Sequence, residues 1–117
     1  MMHVLILDDQ PGLAQILALG LRMEGFSVAA FTSPHEALKA IGNVDVLVTD
    51  YHMPEMTGVE VARRAYAQGW KGSLLIMSGH SAAFSEGIED SLVWSILKKP
   101  FSTQELAKKL RDLTRDS

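Results

Sequence analysis

Apolar residues fall along the chain in two alternating patterns, short unbroken runs and helical stripes. Strands are expected at His3–Leu7, Ser27–Phe31, Asp45–Thr49, Ser73–Met77 and Trp94–Lys98. Three of these contain the runs VLIL, VLVT and LLIM, with no inside-outside alternation. Strands read this way when helices cover both faces of a parallel sheet.

The intervening stretches have helical spacing. Leu13, Ile16, Leu17, Gly20 and Leu21 follow the i, i+3, i+4, i+7, i+8 order of a buried face. Pro11 suits the first turn of that helix, and Gly25 suits a left-handed end. The segments beginning Ser33-Pro34-His35-Glu36, Thr57-Gly58-Val59-Glu60 and Ser102-Thr103-Gln104-Glu105 have the S/T-x-x-E form of a capping box. Val61, Ala62, Ala65 and Tyr66 are the expected inner face of the third helix, and Leu106, Leu110 and Leu113 that of the last. Regular alternation demands one more helix over Ser81–Ser91, but SAAFSEGIEDS carries Gly87 in its middle and three serines. A short, frayed or shifted fourth helix is expected there.

The pattern predicts an α/β fold, a doubly wound five-stranded parallel sheet built from five β/α units, with ligands bound beyond the carboxyl ends of the strands. The chain has 117 residues, 47% of them apolar, enough for one core and too few for two. We read residues 1–117 as a single domain, without repeats, low-complexity tracts or linkers. Fourteen acidic against 11 basic side chains leave a charge of -3, so no global field favours nucleic acid or an anionic membrane. The absence of cysteine excludes a disulfide scaffold, thiol catalysis and cysteine-ligated zinc. With no basic leader and no apolar stretch near the ~18 to 20 residues of a membrane span, a cytoplasmic location is expected.

The unusual residues lie at the strand ends. Strand one ends in Asp8-Asp9, strand three in Asp50 and strand four in Met77-Ser78-Gly79, and strand five runs into Lys98-Lys99-Pro100-Phe101. Carboxylates converging at one sheet edge repel one another, and a hard dication such as Mg²⁺ removes that penalty. A lysine can reach a phosphoryl oxygen, and a serine hydroxyl can donate to another. The ordered set DD, D-x-x-M-P-x-M-x-G, S-G and K-P-F resembles the receiver domain of response regulators in two-component signalling, over essentially the whole chain.

The resemblance implies a flavodoxin-like, CheY-like (βα)5 fold and a phosphorylation switch. Asp50 would accept a phosphoryl group from a phosphohistidine on a sensor histidine kinase or histidine phosphotransfer protein. Asp9 and Asp50 would bind Mg²⁺ directly, with the His52 backbone carbonyl, and Asp8 would act through water. Ser78 and Lys99 would hold phosphoryl oxygens, and the Lys99–Pro100 peptide would be cis. Such a protein catalyses only its own phosphorylation and slow dephosphorylation, and is not a metabolic enzyme. The added charge of about -1.5 to -2 would pull Ser78 and bias a surface around the fourth helix, fifth strand and fifth helix.

Duller readings compete. Asp8-Asp9 before a helix also suit capping, and Asp50 and Ser78 taken singly suit turns. Lys98 and Lys99 point opposite ways on a strand; the family match selects Lys99. His52 and His80, two residues beyond Asp50 and Ser78, rim the expected site. They are either exposed surface residues or modulators of phosphoryl lifetime. Gly58 is expected to permit close approach of the third helix. Receivers usually carry an aromatic residue three positions before the lysine of K-P; here Ile96 stands there, with Trp94 two residues earlier. Phe84, Leu92 and Trp94 are therefore either an altered partner surface or buried packing. Two rival functions are a receiver-fold interaction module that works without phosphorylation, and a small-molecule Mg²⁺ phosphohydrolase. The second lacks the D-x-D acids and cap insertion that chemistry requires.

Overall fold

The computed structural model describes residues 2–79 and 93–115. Five parallel strands, β1 (His3–Leu7), β2 (Ser27–Phe31), β3 (Val46–Asp50), β4 (Ser73–Ser78) and β5 (Val93–Lys98), form one sheet in the order β2-β1-β3-β4-β5. The four described helices are α1 (Pro11–Met23), α2 (Pro34–Ala40), α3 (Gly58–Ala67) and α4 (Thr103–Arg115). This is the expected doubly wound, flavodoxin-like arrangement. The expected irregular helix at Ser81–Ser91 lies outside the described residues.

The unbroken apolar runs are explained by two cores. Successive strand residues point to opposite faces. Val4, Ile6, Val46, Val48, Leu75 and Met77 pack with α1 and α4, whereas Leu5, Leu7, Leu47, Leu74 and Ile76 pack with α2 and α3. Both sets are sealed from water. Each such side chain contributes about 1.5–3 kcal/mol relative to exposure, so a polar residue on either face of a central strand requires a reason.

The helix signals behave as expected at most ends. Ser33 and Thr57 accept the amides of Glu36 and Glu60 at 3.5 and 3.2 Å. At Ser102 the box is reciprocal, since Ser102 Oγ accepts the Glu105 amide and the Glu105 carboxylate accepts the Ser102 amide, both at 3.1 Å. In the other two boxes the glutamate turns to a basic neighbour, Lys39 at 3.9 Å and Arg64 at 3.1 Å. Gly25 ends α1 with φ +98°, a conformation that disfavours side chains with a Cβ.

Some strand bounds and the buried face of α1 need correction; β4 runs on to Ser78 and β5 begins at Val93, each one residue beyond the expected bound. Strand β3 runs Val46–Asp50, one residue later than expected; Asp45 stands just before it, its amide donating to the His3 carbonyl at 2.8 Å and its carboxylate accepting the His3 amide at 2.7 Å. On α1 the buried face is Ala14, Leu17, Ala18 and Leu21, while Ile16 is 65% exposed, beside exposed Leu19 and Met23. Small alanines let the helix lie close to the sheet, and this rotates Ile16 outward.

Candidate functional site

Period-2 geometry carries three chemically active side chains to one strand-end edge. Asp8, Asp50 and Lys99 each stand two residues beyond a core residue of the α1 and α4 face, namely Ile6, Val48 and Leu97. The registers align them, with Leu7 beside Thr49, Asp50 beside Met77, and Ser78 beside Lys98. Lys98, on the opposite parity, is exposed, whereas Lys99 is half-buried.

The Lys99 Nζ lies 3.3 Å from Asp8 Oδ2 and 3.5 Å from Asp50 Oδ2. Asp8 is fully buried, and its other oxygen accepts the Gln10 amide at 2.9 Å. Neither Asp8 nor Asp9 occupies the N-cap of α1, which is Gln10. The capping reading therefore does not account for them. Carboxylate oxygens of Asp8, Asp9 and Asp50 lie within 4.8 Å of one another.

Three carboxylates against one ammonium leave an excess of negative charge. Burial pushes the Asp50 carboxyl above its ordinary value, Lys99 opposes that rise, and Asp8 and then Asp9 add to it. An all-oxygen donor set holding excess charge suits a hard dication such as Mg²⁺. The residues present therefore fit the ion that the sequence implies.

Ser78 ends β4, buried at 1% exposure, and its carbonyl accepts the Lys99 amide at 2.8 Å. The Lys99–Pro100 peptide is cis. His52 is exposed on the loop after Asp50, its ring edge-on to Tyr51 at 4.6 Å between centroids. His80, Phe84 and Leu92 lie outside the described residues, as does the Trp94 side chain. Ile96 packs partly buried against the α2 and α3 core.

Gly58 meets its expectation, since a Cβ there would lie 2.6 Å from the Asp50 carbonyl oxygen and 2.7 Å from Thr49 Cγ2. One participant was not anticipated. Thr49 is wholly buried, and its hydroxyl donates to the Asp50 carbonyl at 3.0 Å. The available signal was a lone hydroxyl ending an apolar run that faces the core on both sides.

Comparisons with known proteins agree with this geometry. The chain is 30% identical to the transcriptional regulatory protein TrcR of Mycobacterium tuberculosis, over 98% of this chain and 46% of that protein. It is 28% identical to the response regulator SaeR of Staphylococcus aureus, over 97% and 50%. The chain thus spans about half the length of these curated relatives. Among solved structures, the Francisella response regulator 1452 receiver domain superposes with a TM-score of 0.85 at 28% identity, covering 100% of both chains. Response regulator TrrA of Thermotoga maritima, solved in complex with Mg(2+)-BeF, superposes at 0.83 with 27% identity, over 97% of this chain and 99% of that one. The family model of the response regulator receiver domain matches residues 4–111, and with the strand-end carboxylates and lysine in place the chain belongs to that family.

Proposed function

We propose that residues 1–117 act as one phosphorylation-dependent switch, in which Asp50 takes a phosphoryl group from a phosphohistidine of a histidine kinase or phosphotransfer protein in the cytoplasm. The observation that carries this reading is the Lys99 ammonium set between Asp8 and Asp50, with Asp9 alongside.

In the proposed step an Asp50 carboxylate oxygen attacks phosphorus in line with the leaving imidazole nitrogen. The P–N bond breaks, its electron pair stays on the imidazole, and an acyl phosphate forms on Asp50. Little covalent chemistry is required of the protein beyond placement and charge neutralisation. Lys99 and the Ser78 hydroxyl hold phosphoryl oxygens. Asp9, Asp50 and the His52 carbonyl would hold Mg²⁺, with Asp8 acting through water, and the ion would supply positive charge beside those oxygens. The same groups later admit a water that hydrolyses the acyl phosphate.

The deciding experiment is formation of a beryllofluoride or acetyl-phosphate adduct with and without Mg²⁺. A Mg²⁺-dependent adduct on Asp50 is expected. Failure to form one in either condition would favour the interaction module that signals without phosphorylation. Turnover of small phosphate esters would instead revive the phosphohydrolase.

His52 adds a second, smaller test. Its exposed ring lies on the loop that leaves Asp50, edge-on to Tyr51, and the proposed role is to limit the approach of water to the acyl phosphate. His52→Ala is expected to shorten the phosphoryl lifetime severalfold, read as the decay of labelled protein after donor removal. Decay at the wild-type rate would make His52 a surface residue only.

A further inference from the structure

Among the described residues three polar or charged side chains are buried, namely Asp8, Ser78 and Thr49. The first two belong to the set already assigned. Thr49 does not, and it occupies the α2 and α3 parity of β3, next after Leu47 on that face. A valine would fill the same volume without placing a hydroxyl where an unmet hydrogen bond is costly.

The hydroxyl has a partner of evident consequence. It donates to the Asp50 backbone carbonyl at 3.0 Å and lies 4.0 Å from Met53 Sδ. The next carbonyl, that of Tyr51, accepts the Gly58 amide at 2.9 Å. Two successive peptide planes leading from Asp50 to His52 are thus each tied to a fixed group. Gly58 makes both contacts possible, because a Cβ there would collide with the Asp50 carbonyl and with Thr49 itself. The chain segment between the phosphoacceptor and the expected carbonyl ligand is held from below by one hydroxyl and one amide.

Resting on the function proposed above, we propose that Thr49 is a positioning residue. Its buried hydroxyl and the Gly58 amide together fix the Asp50–His52 backbone, so that the His52 carbonyl and the Asp50 carboxylate meet the cation in a single arrangement. Thr49 touches neither the cation nor the phosphoryl group.

The test compares Thr49→Val, which keeps the shape and loses the hydroxyl, with Thr49→Ser, which keeps the hydroxyl. Mg²⁺ binding to the unphosphorylated domain is measured by calorimetry, alongside metal-free thermal unfolding. Loss of one hydrogen bond of ordinary strength corresponds to about a fivefold weaker Mg²⁺ affinity for Thr49→Val. Thr49→Ser is expected to stay near wild type. A purely structural role would lower the metal-free melting temperature of Thr49→Val and leave its Mg²⁺ affinity alone, and that result overturns the inference. Thr49→Ala, which cannot overpack, replaces the valine variant if the latter does not fold; failure of both to fold would make Thr49 structural. A wild-type domain that binds no Mg²⁺ would overturn the proposed function as well, whereas equal binding by wild type and Thr49→Val overturns this inference alone.

Discussion

Asp50→Asn is expected to abolish labelling from a phosphohistidine donor while giving a domain that, without Mg²⁺, is more stable than wild type. The two outcomes have one origin. An amide is no nucleophile toward phosphorus, so transfer ends. It also carries no charge, whereas the Asp50 carboxylate must ionise while half-buried beside Asp8 and Asp9. Burial is the main cause of its raised pKa, and Lys99 only partly offsets it. A carboxyl whose pKa is higher in the folded state binds more protons folded than unfolded, so it lowers stability as pH rises. The loss begins near the ordinary value of 3.8 and is complete above the raised one. Chemical denaturation in chelator across that window should show wild type falling behind Asp50→Asn, then a constant gap. Added Mg²⁺ should close the gap by stabilising wild type. Equal labelling of both proteins would move the phosphoacceptor elsewhere, and a gap that did not change with pH would remove the electrostatic explanation.

That excess of negative charge was legible in the sequence because its causes are local. Asp8, Asp50 and Lys99 each stand at or just past the end of an apolar strand, two residues beyond a core residue, and period-2 geometry leaves such residues no other edge to occupy. The two-faced core was legible for the same reason, since VLIL and LLIM cannot be half-exposed strands. What escaped the sequence depended on contacts between distant segments. Asp45 stands one residue before β3, and its carboxylate bond to His3, 42 residues away, has no signature in the sequence. Ile16 fits a helical stripe by spacing, yet α1 lies on its alanines, and apolar periodicity gives large residues more weight than the small ones that permit close approach. Thr49 was hidden differently, since β-branched threonine is an ordinary strand residue. Only its full burial and its bond to the neighbouring Asp50 carbonyl separate it from a valine.

Lys99→Met is expected to slow phosphotransfer by about 100- to 1,000-fold, the range for removing one donor from a developing oxyanion. It is also expected to destabilise the metal-free domain. The ammonium lies 3.3 Å from Asp8 Oδ2 and 3.5 Å from Asp50 Oδ2, and without it the fully buried Asp8 keeps only the Gln10 amide among its described partners. Removing one partner of a fully buried pair costs about 3–5 kcal/mol. Lys99 itself is 24% exposed, so water shares the screening and a loss of about 2 kcal/mol is the better expectation. Methionine retains the length and apolar stem of lysine, which separates charge from packing. Mg²⁺ affinity should rise, because a competing cation has been removed from the carboxylates. Measured together, the three quantities distinguish the two partners of Lys99. Slower transfer with tighter Mg²⁺ binding assigns the lysine to the phosphoryl oxygens as well as to the carboxylates. Loss of stability with an unchanged transfer rate would confine it to neutralising Asp8, and the phosphoryl group would then depend on Ser78 and the cation alone.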